Sequence, residues 1–223
     1  PGARRPIRSC ILVFHYGGPS QLETWDPKPA APVEVRGPFD PIATSAPGIS
    51  IGENLPRMAR HMHRVSLVRS LQHPMRNHNS AAAQMLTGKT PLRGDLELLA
   101  DDPLQPPCYG AALSAATRGR GGLSHVALPY VMRNVVELPG QTAGFLGAAF
   151  ERFQIEGNPD DPGFQVRSLQ LPHEIPPQRL AQRETLLRSL EPSAARSQAG
   201  DMPAFYDQAF STLKSAALQR ALQ

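Results

Sequence analysis

The residues best suited to chemistry are gathered in a short polar corner between a predicted strand and a predicted helix. Histidine exchanges protons near neutral pH and binds metal ions, and an activated serine hydroxyl attacks esters. We therefore predict that any chemistry of the chain takes place in this corner, where Asn77 and Asn79 are candidate substrate-binding residues. The corner consists of His73, Asn77, His78, Asn79 and Ser80.

Two regular elements must position this corner. The segment 65–71 begins with alternating apolar residues and predicts a buried strand. Residues 80–86 are good helix formers, and Gly88 stands where a helix C-terminus needs a left-handed residue. A cap at Asn79 or Ser80 would leave backbone N–H groups facing the corner, which predicts an anion site. The alternative is that Ser80 only caps the helix.

A second candidate binding segment follows the first apolar run of the chain. Residues 10–16 are almost continuously apolar and end at Gly17 and Gly18, which predicts a strand buried on both faces of a parallel sheet. Open α/β sheets bind ligands at the carboxyl ends of their strands, so we predict that Gly17, Gly18 and Ser20 contact substrate. The glycine pair either cradles a ligand with its N–H groups or forms a tight exit from the strand.

The order of elements predicts an α/β fold with a mainly parallel sheet flanked by helices. We expect one domain over residues 1–223, with a sheet-and-helix core at 1–155 and a mostly helical extension at 156–223. The remaining elements are expected as helices at 55–62, 108–117, 147–153, 176–190 and 203–222, and as strands at 125–132 and 164–171.

Composition narrows the class of protein. The net charge is +4, and no basic stripe with interleaved aromatic residues appears, so we expect no nucleic-acid partner. No window reaches the roughly 18 apolar residues of a membrane-spanning helix.

The two cysteines lack metal-ligand spacing and are either buried thiols or one disulfide. Because the sequence begins with Pro1, we expect that a leader was removed and that the protein is periplasmic or extracellular.

Several motifs in a fixed order carry a family resemblance along nearly the whole chain. The chain resembles the sulfatase-like bacterial family called domain of unknown function 1501. The matching motifs are residues 10–29, residues 34–44, Glu53-Asn-Leu-Pro-Arg57, Arg69-Ser-Leu-Gln-His73, Asn77-His78, Met85-Leu-Thr-Gly88 and residues 138–147.

The resemblance implies a relationship with the alkaline phosphatase superfamily, whose members are metal-dependent hydrolases of phosphate and sulfate esters. In that superfamily the nucleophile lies at a helix N-terminus shortly before a Thr-Gly pair, which Met85-Leu-Thr-Gly88 resembles. Counting back without gaps gives His78, and a shift of two residues gives Ser80. The resemblance therefore implies that Ser80 and His78 are catalytic and that His73 and His78 bind metal or, alternatively, protonate the leaving group. The resemblance also implies a divalent ion, Zn, Ca or Mg, that activates the nucleophile and binds ester oxygens.

The chain differs from the superfamily in two ways that affect the function we expect. The superfamily ends its first strand with a metal-binding Asp, whereas Tyr16 stands at that place here, and a phenol binds hard divalent ions poorly. The superfamily's other ligands follow later in longer chains, so we expect an amino-terminal half with an incomplete metal site, completed by a carboxyl-terminal half or another chain. The expected function is hydrolysis of a small-molecule or polysaccharide ester. The alternative is a non-catalytic secreted binding or assembly module.

Overall fold

The computed structural model describes residues 7–117, 123–166, 169–172, 174–190 and 202–221. The chain is a mixed α/β protein with small sheets and several helices. It divides into two compact units, one ending at Pro74 and the other beginning at Met75. The expectation of a single domain over 1–223 stays a prediction.

The first unit contains one antiparallel strand pair and two short helices. Strands β1 (Pro41–Ala43) and β2 (Ser50–Gly52) pair with Ile42 opposite Ile51. Helices α1 (Val33–Arg36) and α2 (Pro56–Ala59) flank them, and 3₁₀ turns cover Gln21–Glu23 and Met62–Arg64. A core of buried apolar side chains holds this unit together: Ile51, Ala59 and Met62, packed against Trp25, Ile42, Leu55, Val65 and Leu67.

The second unit is mainly helical. Its helices are α3 (His78–Thr87), α4 (Tyr109–Ala116), α5 (Pro177–Leu190), α6 (Met202–Lys214) and α7 (Ala216–Ala221). Strands β3 (Val126–Ala127) and β4 (Phe153–Gln154) pair in parallel, and 3₁₀ turns cover Gly144–Leu146 and Ala148–Phe150. One apolar cluster joins Cys108, Ala111, Ala143 and Phe150, and another joins Ile155, Val166 and Leu169.

The predicted strand at 10–16 is wrong for this structure. Residues 10–15 adopt no regular structure, and Ile11, Leu12 and Val13 are 88%, 60% and 72% exposed. A strand that is apolar on both faces needs neighbours on its edges and covering layers on both sides. Among the described residues no such sheet is built around it, because the only sheets there are the two-stranded pairs β1–β2 and β3–β4.

The other elements match the predictions to different degrees. The helices at α3, α4 and α5 are confirmed within two residues of the predicted ends. The predicted strand at 65–71 and most of that at 125–132 are irregular, and the helix at 147–153 is replaced by a 3₁₀ turn and β4. Part of the predicted strand 164–171 lies outside the described residues. The described residues do not form the expected single, mainly parallel sheet. Their strands form two separate pairs, of which β1–β2 is antiparallel and β3–β4 is parallel.

Candidate functional site

Helix α3 begins at the polar corner and ends at a glycine, as its sequence requires. Asn77 is the N-cap in an extended conformation, with φ −101° and ψ 143°. Gly88 closes the helix at φ +71° and donates its N–H to the carbonyl of Gln84 over 2.8 Å. A residue with a side chain would be strained at this left-handed position. The helix boundaries therefore place His78, Asn79 and Ser80 in the first turn.

A carboxylate of the chain itself lies next to the start of α3. Asp95 accepts the backbone N–H of Arg76 over 2.9 Å and that of Asn77 over 3.2 Å. The hydrogen bond from Arg76 is the main reason why the pKa of Asp95 lies below its ordinary value. These N–H groups belong to the N-cap residue and to the residue before it, and the carboxylate comes from the loop after α3. Binding of an anion by the first turn of α3 stays a prediction.

Ser80 is fully buried and its hydroxyl is used within the fold. The residue is 0% exposed. Its Oγ donates to the carbonyl of Leu96 over 2.9 Å and accepts the N–H of Leu96 over 2.6 Å. These two bonds tie the loop at residue 96 to the first turn of α3. Ser80 thus has a structural role in this fold, and its catalytic role stays a prediction.

Asn79 is the second fully buried polar side chain of the corner. It is 0% exposed, and its Nδ2 donates to the carbonyl of Leu99 over 3.0 Å. Its Oδ1 accepts a hydrogen bond from Nδ2 of Asn134 over 2.7 Å. A buried amide must be satisfied on both its donor and acceptor sides, and here both needs are met. Asn79 joins three segments of the second unit, and its predicted contact with substrate stays untested.

The remaining predicted site residues are distributed over both units. His73, Gly17, Gly18 and Ser20 belong to the first unit, whereas Asn77 and His78 belong to the second. His73 and His78 are exposed.

The glycine pair lies in an exposed turn, with φ +94° at Gly17 and +68° at Gly18. Ser20 precedes a 3₁₀ turn and accepts the hydroxyl of Thr24 on its carbonyl over 2.8 Å. This geometry is typical of a tight chain reversal.

The described residues do not fit the divalent ion that the resemblance implies. Over the parts of the chain with assigned positions, no group of three or more His, Cys, Asp or Glu side chains could hold a metal ion. A divalent ion bound by a protein needs several such ligands at close range. No step of a reaction can be derived through a metal from these residues.

A thiol and an imidazole meet at the start of α4, a pair that the sequence analysis did not recognise. Cys108 is the N-cap of α4, and its Sγ lies 3.9 Å from Nε2 of His125. Burial raises the pKa of Cys108 and lowers the pKa of His125. Both shifts favour the neutral forms, whereas a nucleophilic cysteine needs a thiolate. Gly110 makes room for the imidazole, because a Cβ there would collide with the ring of His125.

Arg152 anchors the loops beside β4. Its side chain is only 9% exposed, and its guanidinium donates to the carbonyl of Gln141 over 2.7 Å and to Oε1 of Gln154 over 2.9 Å. It also pairs with Glu137 at 3.1 Å. A buried guanidinium needs this complete set of acceptors, so these contacts indicate a structural role.

Comparison with known proteins identifies the family of the chain but no activity. Residues 7–223 match the family described as "Protein of unknown function (DUF1501)". No curated protein and no solved structure matches the chain. Within the described residues, no helix has the length and apolar character needed to cross a membrane.

Proposed function

We propose that this chain, which belongs to the DUF1501 family of unknown function, acts as a binding or assembly module that pairs a strand with another polypeptide. We further propose, from the motif Met85-Leu-Thr-Gly88 and its companions, that the family is related to the sulfatases and alkaline phosphatases. In that proposal the module keeps features of a hydrolase fold without a metal site of its own, and it acts in the periplasm or outside the cell.

The exposed segment 7–13 is the observation that carries the assembly proposal. Ile7 and Ile11 are 92% and 88% exposed, and Leu12 and Val13 are 60% and 72% exposed. Each large aliphatic side chain gains about 1.5–3 kcal/mol when it is fully removed from water. Consecutive apolar residues in an extended chain point to opposite sides, so both faces of the segment favour burial. A sheet in a second polypeptide would supply neighbours for its edges and cover for its faces.

The corner at α3 supports the same proposal. The hydroxyl of Ser80 is bonded to Leu96, and the carboxylate of Asp95 binds the N–H groups of Arg76 and Asn77 just before the first turn of α3. A hydrolase that used this corner would first have to break these contacts. We infer that the corner stabilises the second unit.

Substitution in the exposed segment tests the assembly proposal. We expect the double variant Ile11→Lys and Val13→Lys to abolish self-association and to reduce binding of a hydrophobic dye, measured by light scattering and fluorescence over a concentration series. The matched control is Val33→Lys with Val35→Lys, because these α1 residues are also 65% and 50% exposed. Equal association of wild type and both variants would overturn the proposal.

Ester hydrolysis remains the second candidate, favoured by the exposed His78 at the first position of α3. Its expected substrates are phosphate or sulfate esters of small molecules or polysaccharides, with Zn, Ca or Mg completed by other residues. Metal analysis with assays on an aryl phosphate and an aryl sulfate separates the candidates. Metal-free protein without turnover supports the module. A bound divalent ion that is lost in His78→Ala supports the hydrolase.

A further inference from the structure

A long acid-free stretch of the sequence surrounds α2 and α3. Residues 54–94 contain seven Lys and Arg residues and no Asp or Glu. The rest of the chain carries 16 Lys and Arg against all 19 Asp and Glu, so the positive charge of the protein is concentrated in this stretch. The same stretch contains no Phe, Trp or Tyr.

In the first unit this charge lies on the outer side of α2 and the 3₁₀ turn after it. Ala59 and Met62 are buried in the core of the unit, at 6% and 2% exposure. Arg57, Arg60 and Arg64 are exposed. Arg57 lies on α2, Arg60 is its C-cap and Arg64 ends the following 3₁₀ turn, so the three arginines fall within eight residues of the chain.

These three arginines carry exposed charge, and Nε of Arg64 donates a hydrogen bond to the neutral acceptor Nε2 of His63 over 3.1 Å. Among the described residues, Arg57, Arg60 and Arg64 form no ion pair. Arg69 is different, since its guanidinium pairs with Asp26 at 3.1 Å and donates to the carbonyl of Ser50 over 2.8 Å. The outer arginines therefore keep their charge available for a partner.

Exposed aliphatic side chains follow the arginines in the same unit. Val65 and Leu67 pack against its core, while Val68 and Leu71 are each 68% exposed. Because side chains alternate in an extended chain, Val68 points away from the core on which Leu67 packs. An exposed basic face is thus followed directly by exposed aliphatic side chains.

We propose that this face of the first unit binds the surface of a membrane rich in anionic phospholipid. Arg57, Arg60 and Arg64 pair with lipid phosphates, for which the planar guanidinium has suitable geometry. Val68 and Leu71 enter the boundary between headgroups and acyl chains, as apolar residues of peripheral proteins do. This proposal is independent of the assembly proposal, because it uses a different surface.

A membrane suits these residues better than other polyanions. Proteins bind single-stranded nucleic acids largely by stacking the bases on aromatic side chains, and residues 54–94 contain no such side chain. Neither a nucleic-acid backbone nor an acidic polysaccharide offers an apolar phase for Val68 and Leu71. Lipid headgroups combine fixed negative charge with such a phase.

Vesicle binding tests the proposal, with co-sedimentation on pure phosphatidylcholine and on an equal mixture with phosphatidylglycerol. We expect binding only to the mixture, weakened by salt. One basic residue near an anionic surface contributes about a fivefold gain in affinity, so changing Arg57, Arg60 and Arg64 to Gln should weaken binding about 100-fold. The control changes Arg36, Arg133 and Arg183 to Gln, which removes the same charge from other exposed positions and should retain binding.

Further tests concern the contribution of Val68 and Leu71 to binding and the source of the phosphate that the arginines bind. Val68→Ser with Leu71→Ser should lower binding even at high salt, where electrostatic attraction is screened. Equal binding to neutral vesicles, or an equal loss in both arginine variants, would overturn the proposal. Competition by inorganic phosphate at the concentration of the lipid would identify free phosphate as the ligand instead. Binding to duplex DNA or heparin without binding to vesicles would also overturn it.

Discussion

Replacing Ser80 with alanine tests whether the hydroxyl of this residue stabilises the fold. The substitution removes a hydroxyl that is 0% exposed and leaves both the N–H and the carbonyl of Leu96 without their partner. Leaving a buried polar group unsatisfied costs about 1–3 kcal/mol. Since the side chain of Leu96 is 46% exposed, water can reach part of this loop. We therefore expect a loss of about 2 kcal/mol in the free energy of unfolding.

Urea unfolding, followed by circular dichroism, measures this loss. With a denaturant slope of about 1–3 kcal/mol per molar, the midpoint should fall by roughly 1 M. Ser189→Ala is the matched control, because Ser189 is exposed and its hydroxyl donates to the carbonyl of Leu186 in its own helix. That variant should stay within about 0.5 kcal/mol of wild type. A Ser80→Ala protein as stable as the control would refute the structural reasoning.

Three further results are expected. Asp95→Asn should destabilise the protein at neutral pH. Because folding lowers the pKa of Asp95, the ionised carboxylate stabilises the fold above the ordinary carboxyl pKa, and this stabilisation is lost as the pH falls through the folded pKa. The urea midpoints of variant and wild type should therefore converge in acid, and a gap that stays constant with pH would contradict the prediction. Leu138→Ala, at a position that is 0% exposed, should cost about 2–5 kcal/mol in thermal or urea unfolding, whereas Val135→Ala, 82% exposed, should leave stability nearly unchanged. In the native protein a thiol reagent should react with exposed Cys10 quickly and with buried Cys108 slowly, and Cys10→Ser should remove only the fast phase; a persisting fast phase would show that Cys108 is accessible.

Local sequence signals were sufficient for helices α3, α4 and α5. The alanine-rich run after Ser80 and the glycine at position 88 predicted α3, because both act within one or two turns of the helix. The same holds for α5, which begins at Pro177. The turn at Gly17 and Gly18 was also visible in the sequence, since glycine accepts positive φ.

Strand pairing and side-chain partners could not be predicted, because they depend on contacts far apart in sequence. The apolar run 10–16 indicates where a strand would be stable, but it does not supply a neighbouring strand. Nothing local shows that Asp95 reaches the N–H of Arg76 or that Asn134 meets Asn79 across 55 residues. Cys108 and His125 likewise meet only after α4 has packed against the segment before β3.

The central proposal is that Asn79 and Ser80, both buried in the first turn of α3, stabilise the fold, and that the hydroxyl of Ser80 is not a nucleophile toward esters. It is tested most directly by turnover of an aryl phosphate and an aryl sulfate, with added divalent ions, under conditions where wild type and Ser80→Ala are both folded. We predict no turnover above the uncatalysed rate for either protein. Turnover by wild type that Ser80→Ala abolishes would contradict the account.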